Sequence, residues 1–342
     1  MGISHYIKEI GRGKDGARPL SREQAADLLG QVLDGAVTDL EIGAFCLAMR
    51  IKGETPDEMA GFLDAVHQRL SLIPMPTDVA RAQPTIVLPS YNGARKLPLL
   101  TPLLGLLLAQ AGAPVLIHGT PTESNRIFVS KVLDVLGFTA CTATPLIAPG
   151  QLVFVPTGVL CPALKRLLDV RRLVGLRNPA HSLVKLMNPC AGPSLLVSSY
   201  THPEYAVSMA QTFELVRANA LLLRGTEGEV VADARRMPQM DGFINGQRTL
   251  LQASQPGTLT ALPDLPKTTD AAETARYIRA VLAGEQPVPA SIAQQVEHIL
   301  RLAQQVAGQT SRASPELSAL PTTPENQLTA ATTTAATTPS AP

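Results

Sequence analysis

Residues 20–62 read LSREQAADLLGQVLDGAVTDLEIGAFCLAMRIKGETPDEMAGF, and this stretch decides the fold of the N-terminal part of the chain. Ser21 and Gln24 have the spacing of a helix-capping box, and apolar residues then recur every three or four positions. Two further amphipathic runs begin after threonines, and glycines end the first two runs. The stretch therefore predicts consecutive helices without a sheet, in a small all-helical domain over residues 1–75.

The pattern changes after residue 76, where short apolar and β-branched runs alternate with helical patterns. The runs are TIVL (85–88), PVLIHG (114–119), QLVFVP (151–156), SLLVSSY (194–200) and NALLLRG (219–225). Alternation of this kind predicts an α/β domain over 76–307, with a central, mostly parallel sheet flanked by helices. Residues 308–342 consist mainly of Thr, Ala, Pro and Ser, and this composition predicts a disordered tail.

Composition excludes several classes of protein. The four cysteines stand far apart and form no Cys/His metal spacing, so we expect no metal site and no cofactor. The N-terminus has no apolar signal segment and no apolar run is long enough to cross a bilayer, so we expect a cytoplasmic protein without a membrane partner. Trp is absent and aromatic residues make up 4%, which argues against an extended aromatic platform for bases.

Charge is unevenly distributed along the chain. The net charge of +1 divides into −3 for residues 1–75, +6 for residues 76–260 and −2 for residues 261–342. The positive charge is therefore concentrated in the middle of the chain. Such a concentration favours an anionic partner, although a solvated surface gives the same balance.

Several segments resemble the anthranilate phosphoribosyltransferase family and occur in that family's order. They include AFCLAMRIKGET (44–55), AGAPVLIHG (111–119), FVPTGVLCPALKRL (154–167) and VRRLVGLRNPAHSLVKLMNP (170–189). The resemblance extends to about residue 306. It implies the fold of the class II phosphoribosyltransferases and the related nucleoside phosphorylases.

The catalytic loop departs from that family. The family's Gly-rich GTGGD loop lets backbone N–H groups approach a pyrophosphate, whereas this chain has LPSYNGARK (88–96). The family's Mg²⁺-holding Asp-Glu pair is reduced to Glu229 followed by Val230, and one carboxylate holds a hard cation poorly. What remains is a degenerate phosphoribosyl site consisting of Ser90, Gly93, Thr101, His118, Gly119 and Glu229. We therefore expect no catalytic residues and no efficient donor chemistry.

Basic residues lie in or beside the segments that border this degenerate site. The candidate nucleic-acid-binding residues are Arg12, Lys14, Arg18, Tyr91, Asn92, Arg95, Lys96, Lys165, Arg166, Arg171, Arg172, Arg177, Lys185 and Arg224. Short basic clusters can follow a phosphate backbone without reading its sequence. Two interpretations of Tyr91 stay open at this point, since its ring could stack on a base or pack within the loop.

A narrower resemblance is to the YbiB-type proteins, which are non-catalytic relatives of the phosphoribosyltransferases. IKEIGRGK (7–14), PSYNGARK (89–96), GLRNPAHSLVKL (175–186) and RGTEGEV (224–230) carry it. The resemblance implies sequence-independent binding of DNA or RNA, with single-stranded DNA favoured, and a homodimer formed through the helical domain. The alternatives are a phosphoribosyltransferase or other glycosyltransferase with an unidentified acceptor, and a structural partner protein whose acidic helical domain is an interface.

Overall fold

The structure, a computed structural model, describes residues 2–13, 15–76, 83–257 and 263–313. Its N-terminal domain consists of α1 (Ser4–Ile10), α2 (Arg22–Leu33), α3 (Asp39–Lys52) and α4 (Pro56–His67). The predicted capping box is present, because the Ser21 hydroxyl accepts a 3.2 Å hydrogen bond from the backbone N–H of Gln24. Equivalent boxes begin α3 and α4. The small helical domain is therefore confirmed.

A buried carboxylate ties these helices together. Glu58, on α4, accepts hydrogen bonds from the backbone N–H of Leu20 at 2.9 Å and from Lys52 Nζ at 2.5 Å. The Glu58 side chain is fully buried. Because removing one partner of a buried ion pair leaves an uncompensated charge, this contact fixes α4 against the start of α2 and the end of α3.

The second domain is built on a seven-stranded sheet. Its strands are β1 (Thr85–Ser90), β2 (Val115–Gly119), β3 (Leu152–Pro156), β4 (Ser194–Tyr200), β5 (Ala220–Arg224), β6 (Met240–Ile244) and β7 (Gln247–Gln252). They lie in the order β3-β2-β1-β4-β5-β6-β7. The first five strands in this order pair in parallel, and β6 and β7 add antiparallel pairs. The predicted α/β class with a mostly parallel sheet is confirmed.

Helices cover both faces of the sheet, as the period-2 alternation of strand side chains requires. They are α5 (Thr101–Gln110), α6 (Val129–Leu136), α7 (Thr157–Leu160), α8 (Pro162–Val174), α9 (Ala180–Leu183), α10 (Pro203–Leu215), α11 (Ala271–Leu282) and α12 (Ala290–Ala313). Val87 packs in one apolar cluster with α2, α3, α4, α8 and α10, whereas Ile86 and Leu88 pack in another with α5, α6, α11 and α12. One continuous core therefore joins the helical domain to the sheet.

Three features differ from the sequence prediction. The β6–β7 hairpin was not predicted, although Asn245 and Gly246 at its turn, with φ of 51° and 78°, are the Asn-Gly pair that favours a tight hairpin. The sequence between the second and third apolar runs also predicts a helix over 123–136, but α6 begins at Val129 because the preceding residues form a loop. Helix α12 continues to Ala313, past residue 307. The remainder of the predicted disordered tail lies outside the described residues.

Within the described part of the chain, no helix is both long enough and apolar enough to cross a membrane.

Candidate nucleic-acid interface

The candidate site lies at the edge of the sheet where the parallel strands end. Loops after β1, β2 and β5 meet there, since parallel strands deliver their carboxyl ends to one edge. Ala94 and Ile127 join the first two loops through reciprocal backbone hydrogen bonds of 2.7 and 3.1 Å. The contacts with the third loop are made by two glutamates.

The Glu229 carboxylate fills the position where the loop after β1 offers its donors. Oε1 accepts hydrogen bonds from the backbone N–H groups of Asn92 at 2.8 Å and Gly93 at 2.7 Å. Oε2 accepts hydrogen bonds from the hydroxyls of Ser90 at 2.5 Å and Thr101 at 3.0 Å. Glu229 is 1% exposed. The donors of the degenerate phosphoribosyl site therefore bind an anion that belongs to the chain itself.

A second carboxylate occupies the outer part of the same loop. Glu227 accepts hydrogen bonds from three consecutive backbone N–H groups, those of Arg95 at 2.8 Å, Lys96 at 3.1 Å and Leu97 at 3.2 Å. Consecutive N–H groups of this kind form an anion-binding concavity. Glu227 has a φ of 53°, which is uncommon for a residue other than glycine. Its backbone is held in this conformation while its carboxylate occupies the concavity.

The residues at this site do not fit the Mg²⁺ ion that the enzyme family uses. Both oxygens of Glu229 are engaged by N–H and O–H donors, and the neighbouring Val230 is an apolar residue buried in the core. Among the described residues, no three His, Cys, Asp or Glu side chains form a group able to hold a metal. Mg²⁺ prefers free carboxylate oxygens together with phosphate, and this loop has no such oxygen to offer.

Tyr91 and His118 belong to the interior of the site. The Tyr91 hydroxyl lies 2.8 Å from His118 Nδ1 and 2.9 Å from Thr157 Oγ1, and Tyr91 is 4% exposed. Burial lowers the pKa of His118 to about 3, so the ring is neutral, and burial raises the pKa of Tyr91. Of the two interpretations of Tyr91, the structure favours packing within the loop over stacking on a base.

Asn92 also points inward, contrary to its assignment as a nucleic-acid-binding residue. Its Nδ2 donates a 3.0 Å hydrogen bond to the backbone oxygen of Glu227, and the residue is 5% exposed. Gly119 marks a close approach of strands, because a Cβ added there would lie 2.0 Å from the Ser90 carbonyl oxygen. The degenerate site is therefore closed by its own side chains.

Glu123 is the centre of an arginine cluster on the loop after β2. It pairs with Arg171 at 2.8 Å, Arg177 at 3.2 Å and Arg126 at 3.2 Å. Burial raises the pKa of Glu123, but the three arginines outweigh this effect and hold that pKa below its usual range. Because one carboxylate faces three guanidinium groups, the cluster keeps a net positive charge. Arg126 also donates a 3.1 Å hydrogen bond to the Asn92 carbonyl and so reaches the loop after β1.

The structure divides the predicted cations of the α/β domain into three groups. Arg95, Lys96, Arg166 and Arg224 are exposed and form no ion pair with any described residue. Arg171, Arg177, Lys165 and Arg172 have acidic partners, the last two sharing Asp169. Lys185 is half-buried, and its Nζ donates a 2.8 Å hydrogen bond to the Gly228 carbonyl.

The remaining predicted cations lie on the helical domain. Arg12 pairs with Glu9 at 2.9 Å, and Arg18 is exposed in the loop that follows α1. None of the contacts among described residues links this loop to the cluster at the sheet edge. Lys14 lies outside the described residues.

Three residues of the site were missed by sequence reasoning. Glu123 and Arg126 pair at an i,i+3 spacing that was overlooked, whereas Glu227 has no motif spacing. Their other contacts, with Arg171, Asn92 and Arg95, join residues far apart in the sequence. The segment RGTEGEV (224–230) contains two of the acids that close the site, but their partners follow from the fold alone.

The fold is shared with solved phosphoribosyltransferases. A family model described as glycosyl transferase family, helical bundle domain, matches residues 4–69. Anthranilate phosphoribosyltransferase from Thermus thermophilus superposes with a TM-score of 0.66 at 20% identity, covering 90% of this chain and 96% of that one. The Saccharomyces cerevisiae enzyme in complex with PRPP and Mg gives a TM-score of 0.65 at 14% identity, covering 92% of this chain and 95% of that one.

Sequence similarity narrows the relationship. Anthranilate phosphoribosyltransferase of Methanosarcina acetivorans is 28% identical over 299 residues, covering 83% of this chain and 76% of that protein. With the fold, this similarity places the chain in the anthranilate phosphoribosyltransferase superfamily. The uncharacterized protein YbiB of Escherichia coli (strain K12) is 40% identical over 297 residues, covering 85% of this chain and 91% of that protein. The chain belongs to the YbiB family of that superfamily.

Proposed function

We propose that the protein binds nucleic acids without sequence preference, favouring single-stranded DNA and also taking double-stranded DNA and RNA. The observation that carries the proposal is the arrangement around the loop after β1. Its inner donors bind Glu229, whereas Arg95 and Lys96, at its outer end, are exposed and lack ion-pair partners among the described residues. The donors inside the loop therefore already bind an anion. The side chains of Arg95 and Lys96 at its outer end, which we call the rim, remain available to bind another.

The cations around the rim suit a phosphate backbone better than a small anion. Arg224, at the end of β5 on the same sheet edge, is exposed like Arg95 and Lys96 and has no paired carboxylate in the described structure, and the Glu123 cluster adds a net positive charge. Each phosphate neutralised by such a cation releases condensed counterions. Contacts of this type give affinity and no base discrimination, which supports sequence-independent binding.

Equilibrium binding to a fluorescently labelled, random single-stranded 20-mer tests the proposal. If about four or five phosphates are neutralised, the slope of log K against log salt concentration should be about −3. The affinity should then fall roughly 60-fold between 50 and 200 mM salt. Scrambled and homopolymeric strands should bind alike. Absence of binding at 50 mM salt would contradict the proposal.

The alternative function is transfer of a phosphoribosyl group to an unidentified acceptor. The shared fold favours it, but the occupied cradle and the poor fit to Mg²⁺ weigh against it. The discriminating measurement is the melting temperature with and without millimolar phosphoribosyl pyrophosphate and Mg²⁺. A donor enzyme is stabilised by its ligand, whereas we expect no shift.

We also propose that the protein is a homodimer formed through the helical domain. Three large apolar side chains stand exposed on α3, with Leu40 84%, Leu47 47% and Ile51 54% exposed. These positions follow one side of the helix and leave an apolar stripe without a partner in the single chain. A second copy would bury the stripe, in keeping with the dimer that the family resemblance implies.

A further inference from the structure

A cavity of about 600 Å³ lies between the helical domain and the α/β domain. Its walls come from the end of α3 and the following loop, from α9 and the residues after it, and from the first turns of α10. Small-molecule sites in proteins have volumes of about 300–1,000 Å³, so the cavity has room for one nucleotide. The predicted phosphate-binding residues Arg177 and Lys185 both line it.

One residue of the cavity wall has a polar atom without a hydrogen-bond partner among the described residues. His181 is 9% exposed, and its Nδ1 lies within 3.3 Å of backbone and side-chain atoms of Asn178. Its Nε2 has no hydrogen-bond partner among the described residues. Nδ1 is satisfied whichever tautomer is present, so Nε2 is left as one free donor or acceptor in either case. A buried polar atom without a partner is costly, and His181 is one of the residues that line the cavity.

The two cations at the cavity also keep free N–H groups. Lys185 Nζ donates to the carbonyl oxygens of Gly228 at 2.8 Å and Ser199 at 3.4 Å, which leaves one of its three protons. Among the described residues, Arg177 donates one side-chain hydrogen bond, to Glu123 at 3.2 Å. Burial lowers the pKa of both side chains, that of Lys185 to about 8, because both cations are removed from water. A phosphate placed beside them would accept hydrogen bonds from these free N–H groups.

Other residues that line the cavity are aromatic or apolar. Tyr205 and His202 line the cavity with ring centroids 6.4 Å apart, and Met49, Met59 and Met209 add flexible apolar surface. Glu54 and Glu204 contribute acceptors. A free phosphate needs neither rings nor methionines, and an apolar ligand would leave the free N–H groups of the two cations without acceptors. Nucleobases combine a flat face with an edge of donors and acceptors, and proteins bind splayed bases by stacking them on aromatic side chains.

We propose that this cavity receives one nucleotide of the bound strand, with its phosphate at Arg177 and Lys185 and its base against Tyr205. The proposal rests on the nucleic-acid-binding function and makes it more specific. A base removed from the stack in this way must come from a flexible strand, which agrees with the preference for single strands. Stacking tolerates any base, so the site adds affinity without sequence preference.

The test compares a deoxythymidine 20-mer with an equally long strand in which every base is replaced by an abasic residue. Both strands offer the same phosphates. We expect the wild-type protein to bind the thymidine strand about tenfold more tightly, since stacking of a single base contributes on this order. Ser208→Phe, which introduces a ring at the cavity wall, should remove this difference. Val207→Phe, at the neighbouring exposed position outside the cavity, should retain it.

The outcomes separate this proposal from the proposed function. Equal affinity of the wild-type protein for both strands overturns the nucleotide site and leaves nucleic-acid binding intact, whereas failure of both strands to bind at 50 mM salt overturns both. If thymidine monophosphate alone raises the melting temperature while the two strands bind equally, the cavity serves free nucleotides and the proposal is wrong. Tyr205→Leu is the second variant if Ser208→Phe does not fold, and it should narrow the tenfold difference.

Discussion

The Oε2 atom of Glu229 accepts a 2.5 Å hydrogen bond from Oγ of Ser90, a residue 139 positions earlier in the chain. With Thr101 and two backbone N–H groups, Ser90 surrounds the carboxylate as a phosphoribosyltransferase loop would surround a phosphate. The carboxylate therefore acts as an internal anion. This relationship explains how the fold of an enzyme superfamily is retained while its donor site is closed.

Replacement of Glu229 should destabilise the protein. Glu229→Ala leaves two backbone N–H groups and two hydroxyls without an acceptor in a buried site, and we expect a loss of about 3 kcal/mol in the free energy of unfolding. Urea denaturation measures it. The matched control is Glu285→Ala, an exposed glutamate outside the site, which should change stability by less than about 0.5 kcal/mol. A similarly small loss for Glu229→Ala would contradict the internal-anion account.

Removal of Glu123 should strengthen nucleic-acid binding. Glu123→Gln releases Arg126, Arg171 and Arg177 from their shared carboxylate and raises the local charge by one. We expect the affinity for a single strand at 50 mM salt to increase several-fold, with a steeper salt dependence. Asp134→Asn makes the same charge change at an exposed position on α6 and should have little effect. Unchanged binding by Glu123→Gln would exclude this arginine cluster from the interface.

His118 should make the protein sensitive to acid. Burial lowers its pKa in the folded state to about 3, whereas an unperturbed histidine has a pKa of about 6.5. Between these values the unfolded chain binds the extra proton, so the free energy of unfolding falls as the pH falls from about 6.5 toward 3. The contribution of one proton is about 1.4 kcal/mol per pH unit.

Urea denaturation at pH 7, 6 and 5 checks this dependence. His118→Gln keeps an acceptor for the Tyr91 hydroxyl and should reduce the pH slope by the contribution of one proton. His5→Gln, at an exposed position, is the control. If the slope of His118→Gln equals that of the wild type, His118 does not carry the acid sensitivity.

The apolar stripe on α3 should control the oligomeric state. Leu47→Glu places a charge in the middle of the stripe, where a second copy would bury it without a partner, and we expect a monomer at micromolar concentration. Light scattering after size-exclusion chromatography measures the mass. Leu250→Glu makes the same change at a somewhat more exposed position on β7 and should leave a dimer. A monomeric wild-type protein would overturn the dimer proposal.

Local signals in the sequence predicted most of the fold. The capping pair Ser21 and Gln24 begins α2 as expected, and β1 to β5 correspond to the five apolar runs. These predictions succeeded because each depends on neighbouring residues: a cap satisfies N–H groups within one turn, and a buried strand must be apolar along its length. The Asn245-Gly246 hairpin carried an equally local signal that was overlooked.

The site could be predicted only in part. The position of the degenerate loop and the concentration of cations near it were visible in the sequence. The sequence did not show whether each side chain faces the interior or the solvent. This depends on contacts between residues more than a hundred positions apart, such as those of Glu227 with Arg95 and Lys96. Tyr91 and Asn92 were listed as candidate nucleic-acid-binding residues for this reason, with packing of Tyr91 left open, and both are buried.

The salt dependence of single-strand binding, compared between the wild type and the double variant Arg95→Gln/Lys96→Gln, tests the central claim most directly. If phosphates bind on the rim of the closed loop, loss of these two cations should flatten the slope by about 1.4, since each contact with a single strand contributes about 0.7. Arg276→Gln, at an exposed position on α11, should leave the slope unchanged. An equal slope for the wild type and the double variant would contradict the claim that the rim of this loop binds nucleic acid.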